Sequence, residues 1–346
     1  MNENDSLVKA TVFHADAFDA LSSVSDNSID AVITDPPYFL DGMGDDWSKK
    51  TIDREQTNNG VVSSLRAGMK FDKTQGLEFQ KYMNKFALVA FEKIKPGGWL
   101  IAFSAPRLYH RLAVGIEDAG YEIRDMWEWL YTQNQMKAMG LTRGLDKIKD
   151  ELDIQEYNKI AEELLTWKTP QVKSCFEPIV MAQKPREGTF LNNWHKYHIG
   201  LVNVKSQVGD KMNMDTANVI STEHISILLD STFLVGKPTK KEKGEDTKHV
   251  SVKPLELMRH IIKITVPEGG LVLDPFNGSG TTGIASLLEN RNFIGYEKAE
   301  TYFLQSFNRN SSHFKVNRDI IGKKVYLLLE RKLITYLIYC SNSLFP

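Results

Sequence analysis

Two short apolar runs, far apart in the chain, each end in an aspartate followed at once by proline. Ser-Ile-Asp-Ala-Val-Ile-Thr (28–34) runs into Asp35-Pro36-Pro37-Tyr38, and Leu-Val-Leu (271–273) runs into Asp274-Pro275-Phe276-Asn277-Gly278-Ser279-Gly280-Thr281-Thr282. Proline lacks an amide hydrogen and restricts the residue before it, so regular structure stops at each Pro. A buried strand that ends abruptly in an acid is what an open parallel sheet presents at its ligand-binding edge. The flanking pattern agrees. Residues 8–38 read as strand, helix, strand and turn, and 77–94 has helical spacing of Phe79, Tyr82, Met83, Phe86, Val89 and Ala90. Lys95-Pro96-Gly97-Gly98 reads as a turn, 99–103 as a buried strand, 108–119 as a helix and 121–130 as a strand. Further on, 145–165 reads as one or two surface helices and 176–181 as a strand; 254–264 (helix), 271–273 (strand), 281–289 (helix) and 292–296 (strand) complete the rhythm. This alternation predicts a doubly wound α/β sheet.

Composition narrows the classes. A chain of 346 residues can hold one large α/β domain and an inserted or appended module. The net charge of −1 gives no global nucleic-acid signal, although a local basic groove is enough to bind one. Two cysteines, Cys175 and Cys340, make neither a metal cluster nor a disulfide framework, which points to a reducing, intracellular setting. The start, Met-Asn-Glu-Asn-Asp, is unlike a secretory leader, and no apolar run reaches the ~18–20 residues of a membrane helix. No membrane partner is therefore expected.

The later motif has the chemistry of a nucleotide-like cofactor site. Gly278 and Gly280 permit a tight turn and close approach of the backbone to a ligand. Thr281 and Thr282 open a helix whose free amide hydrogens favour an anionic group. Glu297 ends the next strand, where a carboxylate can accept from ribose hydroxyls. Neither Gly-Lys-Ser/Thr nor G-x-G-x-x-G is present, and an acid in the loop suits a cationic ligand better than a diphosphate. The earlier motif suits a planar amino group. The Asp35 carboxylate and the Pro36 carbonyl are two acceptors that can hold both N–H bonds out of a ring plane, Pro37 stiffens the backbone, and Tyr38 offers a flat face for a base.

Together these motifs resemble the β subclass of S-adenosylmethionine-dependent DNA amino-methyltransferases, the N6-adenine and N4-cytosine family. The resemblance covers 8–38, 77–130, 173–185 and 249–304. It implies a circularly permuted Rossmann-like sheet with an inserted target-recognition region. The implied division is a catalytic half at 1–183, recognition at 184–247, a cofactor-binding half at 248–310 and a C-terminal extension at 311–346. The cofactor is S-adenosyl-L-methionine, held by Asp274 to Thr282 and by Glu297. His249-Val250-Ser251-Val252-Lys253-Pro254 is similar to the family's element before the cofactor strand, which implies that Ser251 and Lys253 line the methionine end. Asp16 and Ala17 match the family's acidic position that accepts from the cofactor's adenine amino group; on its own residues, Asp16 reads as a helix cap.

By the same resemblance an initial Asp in the catalytic motif leans to N6 of adenine. N4-cytosine methylation and an inactive nucleic-acid-binding module of the same fold are the alternatives. Reaching a base in duplex DNA requires flipping it out of the stack, and the long segment 39–76 is expected to close over it. Basic residues such as Arg186, Lys196 and the 237–248 lysines suit phosphate contacts. Double-stranded DNA is the expected partner. The resemblance also raises a homodimer, a cognate restriction endonuclease and a cytoplasmic bacterial or phage setting. The apolar stretch 325–339 is expected to pack on the body or to pair subunits.

Overall fold

A computed structural model describes residues 8–38, 73–131, 138–170, 174–204, 218–221, 233–234, 252–306, 309, 326–331 and 334–339. Ser251, most of the 39–76 segment with its Trp47 and Phe71, and most of 205–251 lie outside the described residues.

The chain opens with β1 (Lys9–His14), α1 (Ala17–Leu21) and β2 (Ile29–Thr34). Next come α2 (Lys73–Lys93), β3 (Ile94–Phe103), α3 (Tyr109–Glu117) and β4 (Glu122–Leu130). A surface excursion of α4 (Thr142–Lys147) and α5 (Ile154–Glu163) leads to β5 (Phe176–Gln183) and α6 (Phe190–Tyr197). Short β6 (Val219–Ser221) and β7 (Phe233–Leu234) precede α7 (Leu255–Thr265), β8 (Leu271–Asp274), α8 (Thr281–Leu288) and β9 (Asn292–Glu297). β10 (Tyr326–Arg331) and β11 (Ile334–Tyr339) come last. No helix among the described residues is long and apolar enough to cross a membrane.

Among the described residues the strands form one sheet in the order β11-β10-β1-β9-β8-β2-β3-β5-β4-β6-β7. Strands from opposite parts of the chain meet at its centre: β2 and β8 are parallel neighbours, with Ala31 opposite Val272 and Val32 opposite Leu273. From β2 the chain winds through α2 to β3 on one side, and from β8 through α8 to β9 on the other. The boundary between β2 and β8 is thus the point where the winding reverses, and ligands in open α/β sheets bind beyond the strand ends at such a point.

The core is two-sided because the central strands are apolar throughout. All six residues of β2 are buried. Ala31, Ile33, Trp99, Ile101 and Phe103 face the layer containing α7 and α8, whereas Val32, Leu100 and Ala102 face the layer of α2 and α3. Strand residues alternate between faces, so a continuous apolar run fills both layers. On α2 the buried residues Phe79, Met83, Phe86, Ala87 and Ala90 repeat at helical spacing and seal one of them.

Three details differ from what the sequence suggests. Lys95-Pro96-Gly97-Gly98 is not an isolated turn but a bulge inside β3: Ile29 faces Ile94, and Ala31 already faces Trp99. Asp30 at that point accepts from Lys95 Nζ at 2.7 Å and from the Leu271 backbone N at 2.7 Å, which anchors the bulge from the opposite strand. β1 pairs with β9 and so stands on the β8–β9 side of the sheet, away from β3. Within the irregular stretch expected from 184, α6 docks through buried Asn193, whose amide nitrogen donates to Pro96 O at 3.0 Å and to Ile199 O at 2.9 Å. The apolar C-terminal stretch packs on the body: β10 adds parallel to β1, and β11 returns antiparallel to it.

Candidate active site

Asp35 and Asp274 follow from their strands' ends. β2 stops at Thr34 because the Pro pair cannot continue a ladder, and β8 stops at Asp274 before Pro275. Since β2 and β8 are parallel neighbours, the two motifs emerge side by side. A hydrogen bond joins them: Thr34 Oγ1 donates to Asp274 Oδ1 at 2.8 Å. Thr34 is buried and immediately precedes Asp35, so the Asp35 motif is referenced directly to the Asp274 loop.

The cofactor loop is an acidic cradle held by neutral donors. Asp274 Oδ1 also accepts from Phe276 N at 3.1 Å, and Oδ2 accepts from Thr282 Oγ1 at 2.6 Å. Glu297 Oε2 accepts from Gly278 N at 2.8 Å, and Oε1 from Ala299 N at 2.9 Å. Burial pushes the Asp274 carboxyl up to about 6 against its three donors, with Asp35 adding to the rise. Burial likewise pushes Glu297 up to about 7, assisted by Asp274. Gly278 and Gly280 sit at φ of 50° and 81°, where a side chain would be strained. Phe276 packs against Phe86 with ring centroids 5.5 Å apart, and Pro275 sits beside it in the turn. Asn277 is buried, and among the described residues neither its side-chain amide nitrogen nor its oxygen has a hydrogen-bond partner. Ser279, Thr281 and Thr282 are buried at the start of α8, which has no side-chain cap.

Asp16 is the N-cap of α1, accepting from Phe18 N at 3.0 Å, and pairs with Lys298 Nζ at 3.2 Å. Ala17 is buried behind it. Because β1 lies against β9, with His14 opposite Glu297, Asp16 and Glu297 leave neighbouring strand ends.

On the catalytic side the Asp35 carboxylate is gripped at both oxygens. Tyr38 Oη donates to Oδ1 at 2.5 Å, and Lys253 Nζ donates to Oδ2 at 2.7 Å. Lys253 Nζ also reaches Glu177 Oε2 at 2.9 Å and stands 4.9 Å from the centre of the Phe103 ring. Burial alone would lower the Lys253 pKa, but Asp35 and Glu177 outweigh it and hold the amine above its ordinary value. Burial, then the charges of Asp35 and Glu177, push the Tyr38 hydroxyl well above its usual range, so it remains a donor. Pro36 is buried and Pro37 half-buried, which keeps this short segment stiff.

The structure therefore brings Asp16, Asp35, Tyr38, Asp274 to Thr282 and Glu297 to one edge of the sheet. The resemblance set Lys253 toward the methionine end; its amine is occupied by two carboxylates of the catalytic half. Three residues escaped notice in the sequence. Thr34 looks like any strand threonine. Glu177 sits inside Phe-Glu-Pro-Ile, where an acid at the start of an apolar strand is its only signal. Arg309 Nη1 donates to Thr281 Oγ1 at 2.8 Å and to Ser279 Oγ at 3.1 Å, bringing a cation to the start of α8. By contrast, Lys196 pairs with Glu187 at 2.8 Å, and Arg186 lies 4.2 Å from the Phe190 ring centre. Both belong to the α6 region, which docks on Pro96 at the far end of β3 from Phe103.

The donor set fits a nucleoside carrying a positive charge: two buried carboxylates with raised pKa values, a glycine turn and a helix start. Comparison with known proteins leads to the same place. Residues 29–308 match the family model described as DNA methylase. The chain is 28% identical over 313 residues to the type II methyltransferase M.HindIII of Haemophilus influenzae, spanning 86% of this chain and 94% of that one. It is 25% identical over 295 residues to the type II methyltransferase M2.DpnII of Streptococcus pneumoniae, spanning 85% and 87%. The fold resembles the solved structure of the PvuII DNA methyltransferase (cytosine-N4-specific), with a TM-score of 0.51 and 14% identity over 95% of this chain and 97% of that one. With both motifs on one crevice and most of its length matched, the chain belongs to the DNA methylase family, the S-adenosylmethionine-dependent enzymes that methylate amino groups of DNA bases.

Proposed function

We propose that this enzyme methylates N6 of adenine within a specific sequence of double-stranded DNA. The observation that carries the reading is the juxtaposition of Asp35, at the end of β2, with the Asp274 cradle at the end of β8, fixed by the 2.8 Å Thr34–Asp274 hydrogen bond. S-adenosylmethionine, when bound, supplies an electrophilic methyl group on a sulfonium sulfur. Asp274, Glu297 and Asp16 are the acids proposed to hold it, with Pro275 to Thr282 forming the turn and helix start around it.

An exocyclic amino group is a poor nucleophile while its lone pair is delocalised into the ring. The Asp35 carboxylate and the Pro36 carbonyl accept its two N–H bonds and orient the lone pair out of the ring plane. Tyr38 stacks against the base. As positive charge develops on nitrogen, Asp35 offsets it, and the amino proton leaves afterwards to solvent. Catalysis on this reading is positioning and electrostatic stabilisation. An Asp rather than a Ser at position 35 supports adenine. Recognition of the target sequence is assigned to 184–247, most of which lies outside the described residues. The resemblance also supports a homodimer, a cognate restriction endonuclease and a cytoplasmic setting as parts of this reading.

The test is chemical. DNA methylated by the purified protein is digested to nucleosides and analysed by mass spectrometry. N6-methyladenosine as its deoxynucleoside is the expected product, and recovery of N4-methyldeoxycytidine instead would sink the adenine assignment.

A further inference from the structure

We infer that Glu177 is a positioning residue for methyl transfer, acting on Asp35 through the buried ammonium group of Lys253. The inference rests on the proposed role of Asp35 as acceptor of the target amino group. Three groups from separate parts of the chain meet here: Asp35 just beyond β2, Glu177 near the start of β5, and Lys253 just before α7. The Lys253 side chain is only 6% exposed, and its nitrogen lies 2.7 Å from Asp35 Oδ2 and 2.9 Å from Glu177 Oε2. The two carboxylates are partly open, at 21% and 23% exposure, so the cluster is buried at its cation and accessible at its anions.

The charge count gives Glu177 its purpose. A buried lysine paired with Asp35 alone would cancel the negative charge that must offset the positive charge growing on the amino nitrogen. With Glu177 included, two carboxylates flank one ammonium, so Lys253 is not spent on Asp35 alone. Geometry gives it a second purpose. Tyr38 and Lys253 each hold one Asp35 oxygen, which fixes the carboxylate plane. Lys253 can hold that position because Glu177 holds it from the other side. A buried cation with one anchor removed is free to recentre on Asp35 and compete with the substrate for it.

The decisive measurement compares single-turnover methylation rates for the wild type, Glu177→Gln, Lys253→Met and the double variant Lys253→Met/Glu177→Gln. Calorimetric titration with S-adenosylmethionine and thermal unfolding are run on each protein. Glu177→Gln should lower the rate about 100-fold, as expected for a misplaced reacting group, with cofactor affinity kept. Glu177→Asp should recover part of the rate. The double variant should be faster than Glu177→Gln, because removing the uncompensated cation returns Asp35 to a net negative site. A merely structural Glu177 would give losses that follow unfolding temperature, with the double variant worst of all. A wild-type rate in Glu177→Gln, or a double variant slower than both singles, overturns the inference. Asp35→Ala serves as the control. If it is inactive while Glu177→Gln is unimpaired, only this inference fails; if it methylates at the wild-type rate, the reading of the site fails as well.

Discussion

The two acidic regions of the crevice solve opposite problems. Asp35 is supplied with a cation by the protein itself, Lys253 at 2.7 Å. Asp274 and Glu297 accept from neutral donors, hydroxyls and backbone amides, at 2.6–3.1 Å. Burial therefore raises the pKa of both cofactor-side acids, to about 6 and about 7, because neutral donors do not fully replace water around a charge. Asp35 is held in place by Lys253, an ammonium that it shares with Glu177. Asp274 and Glu297 are left wanting a positive charge, which on the proposed reading a sulfonium ligand provides. On that reading one region orients the target base and the other captures the cofactor.

The sharpest way to break this contrast is Asp35→Ala. Methyl transfer should fall by at least about 10²–10³-fold, the range for losing one preorganised electrostatic group, while cofactor titration remains close to wild type. A parallel loss of cofactor binding would show that the two regions are not separable. Next in size is Glu297→Gln, which removes the charge and leaves one acceptor oxygen for two backbone donors. Cofactor affinity should drop by about 10–100-fold, equivalent to roughly 1.4–2.8 kcal/mol, with a smaller change in the saturated rate.

The pH dependence tests the cause. Because the folded pKa values of Asp274 and Glu297 are raised above ordinary carboxylate values, these groups favour the folded cofactor-free protein at low pH. That contribution is full below about 4, the unfolded carboxylate range, and is lost as pH rises through about 6 and about 7. Unfolding temperature of the cofactor-free protein should reflect a destabilising contribution from these two groups across that window. Cofactor binding should do the reverse, tightening as pH rises through the same values and releasing protons, measurable by calorimetry in buffers of different ionisation enthalpy. Affinity that is flat across the window would mean that both acids are already ionised. The smallest effect is expected for Thr34→Val, which keeps shape but deletes the donor to Asp274. Stability should fall by about 1 kcal/mol, readable in urea unfolding, with a modest loss in rate if the link between the halves also sets their spacing.

Much of this was legible in the chain. The central strands announce themselves as unbroken apolar runs, and the prolines after Thr34 and Asp274 set their ends to within a residue. The helix 77–94 was readable from Phe79, Met83, Phe86 and Ala90, although α2 begins earlier, at Lys73. The Pro96-Gly97-Gly98 segment misleads because its residues favour turns, whereas its pairing is decided by Asp30 on another strand and by Leu271 beyond it. In the site, Asp35, Asp274 and Glu297 could be read because each ends a strand. Glu177, Thr34 and Arg309 could not, because their roles depend on partners distant in sequence.

By itself, the sequence determined the strand-ending motifs, their order and the chemistry each can perform, since proline, glycine and carboxylate act through local backbone and side-chain properties. The tertiary structure decided who stands beside whom. Pairing β2 with β8 put the two motifs on one crevice, adding β1 to β9 carried Asp16 to the cofactor side, and folding α7 against the sheet set Lys253 between Asp35 and Glu177. Such charge balances depend on distances of a few ångströms between residues far apart in the chain, and only the packed core fixes those distances.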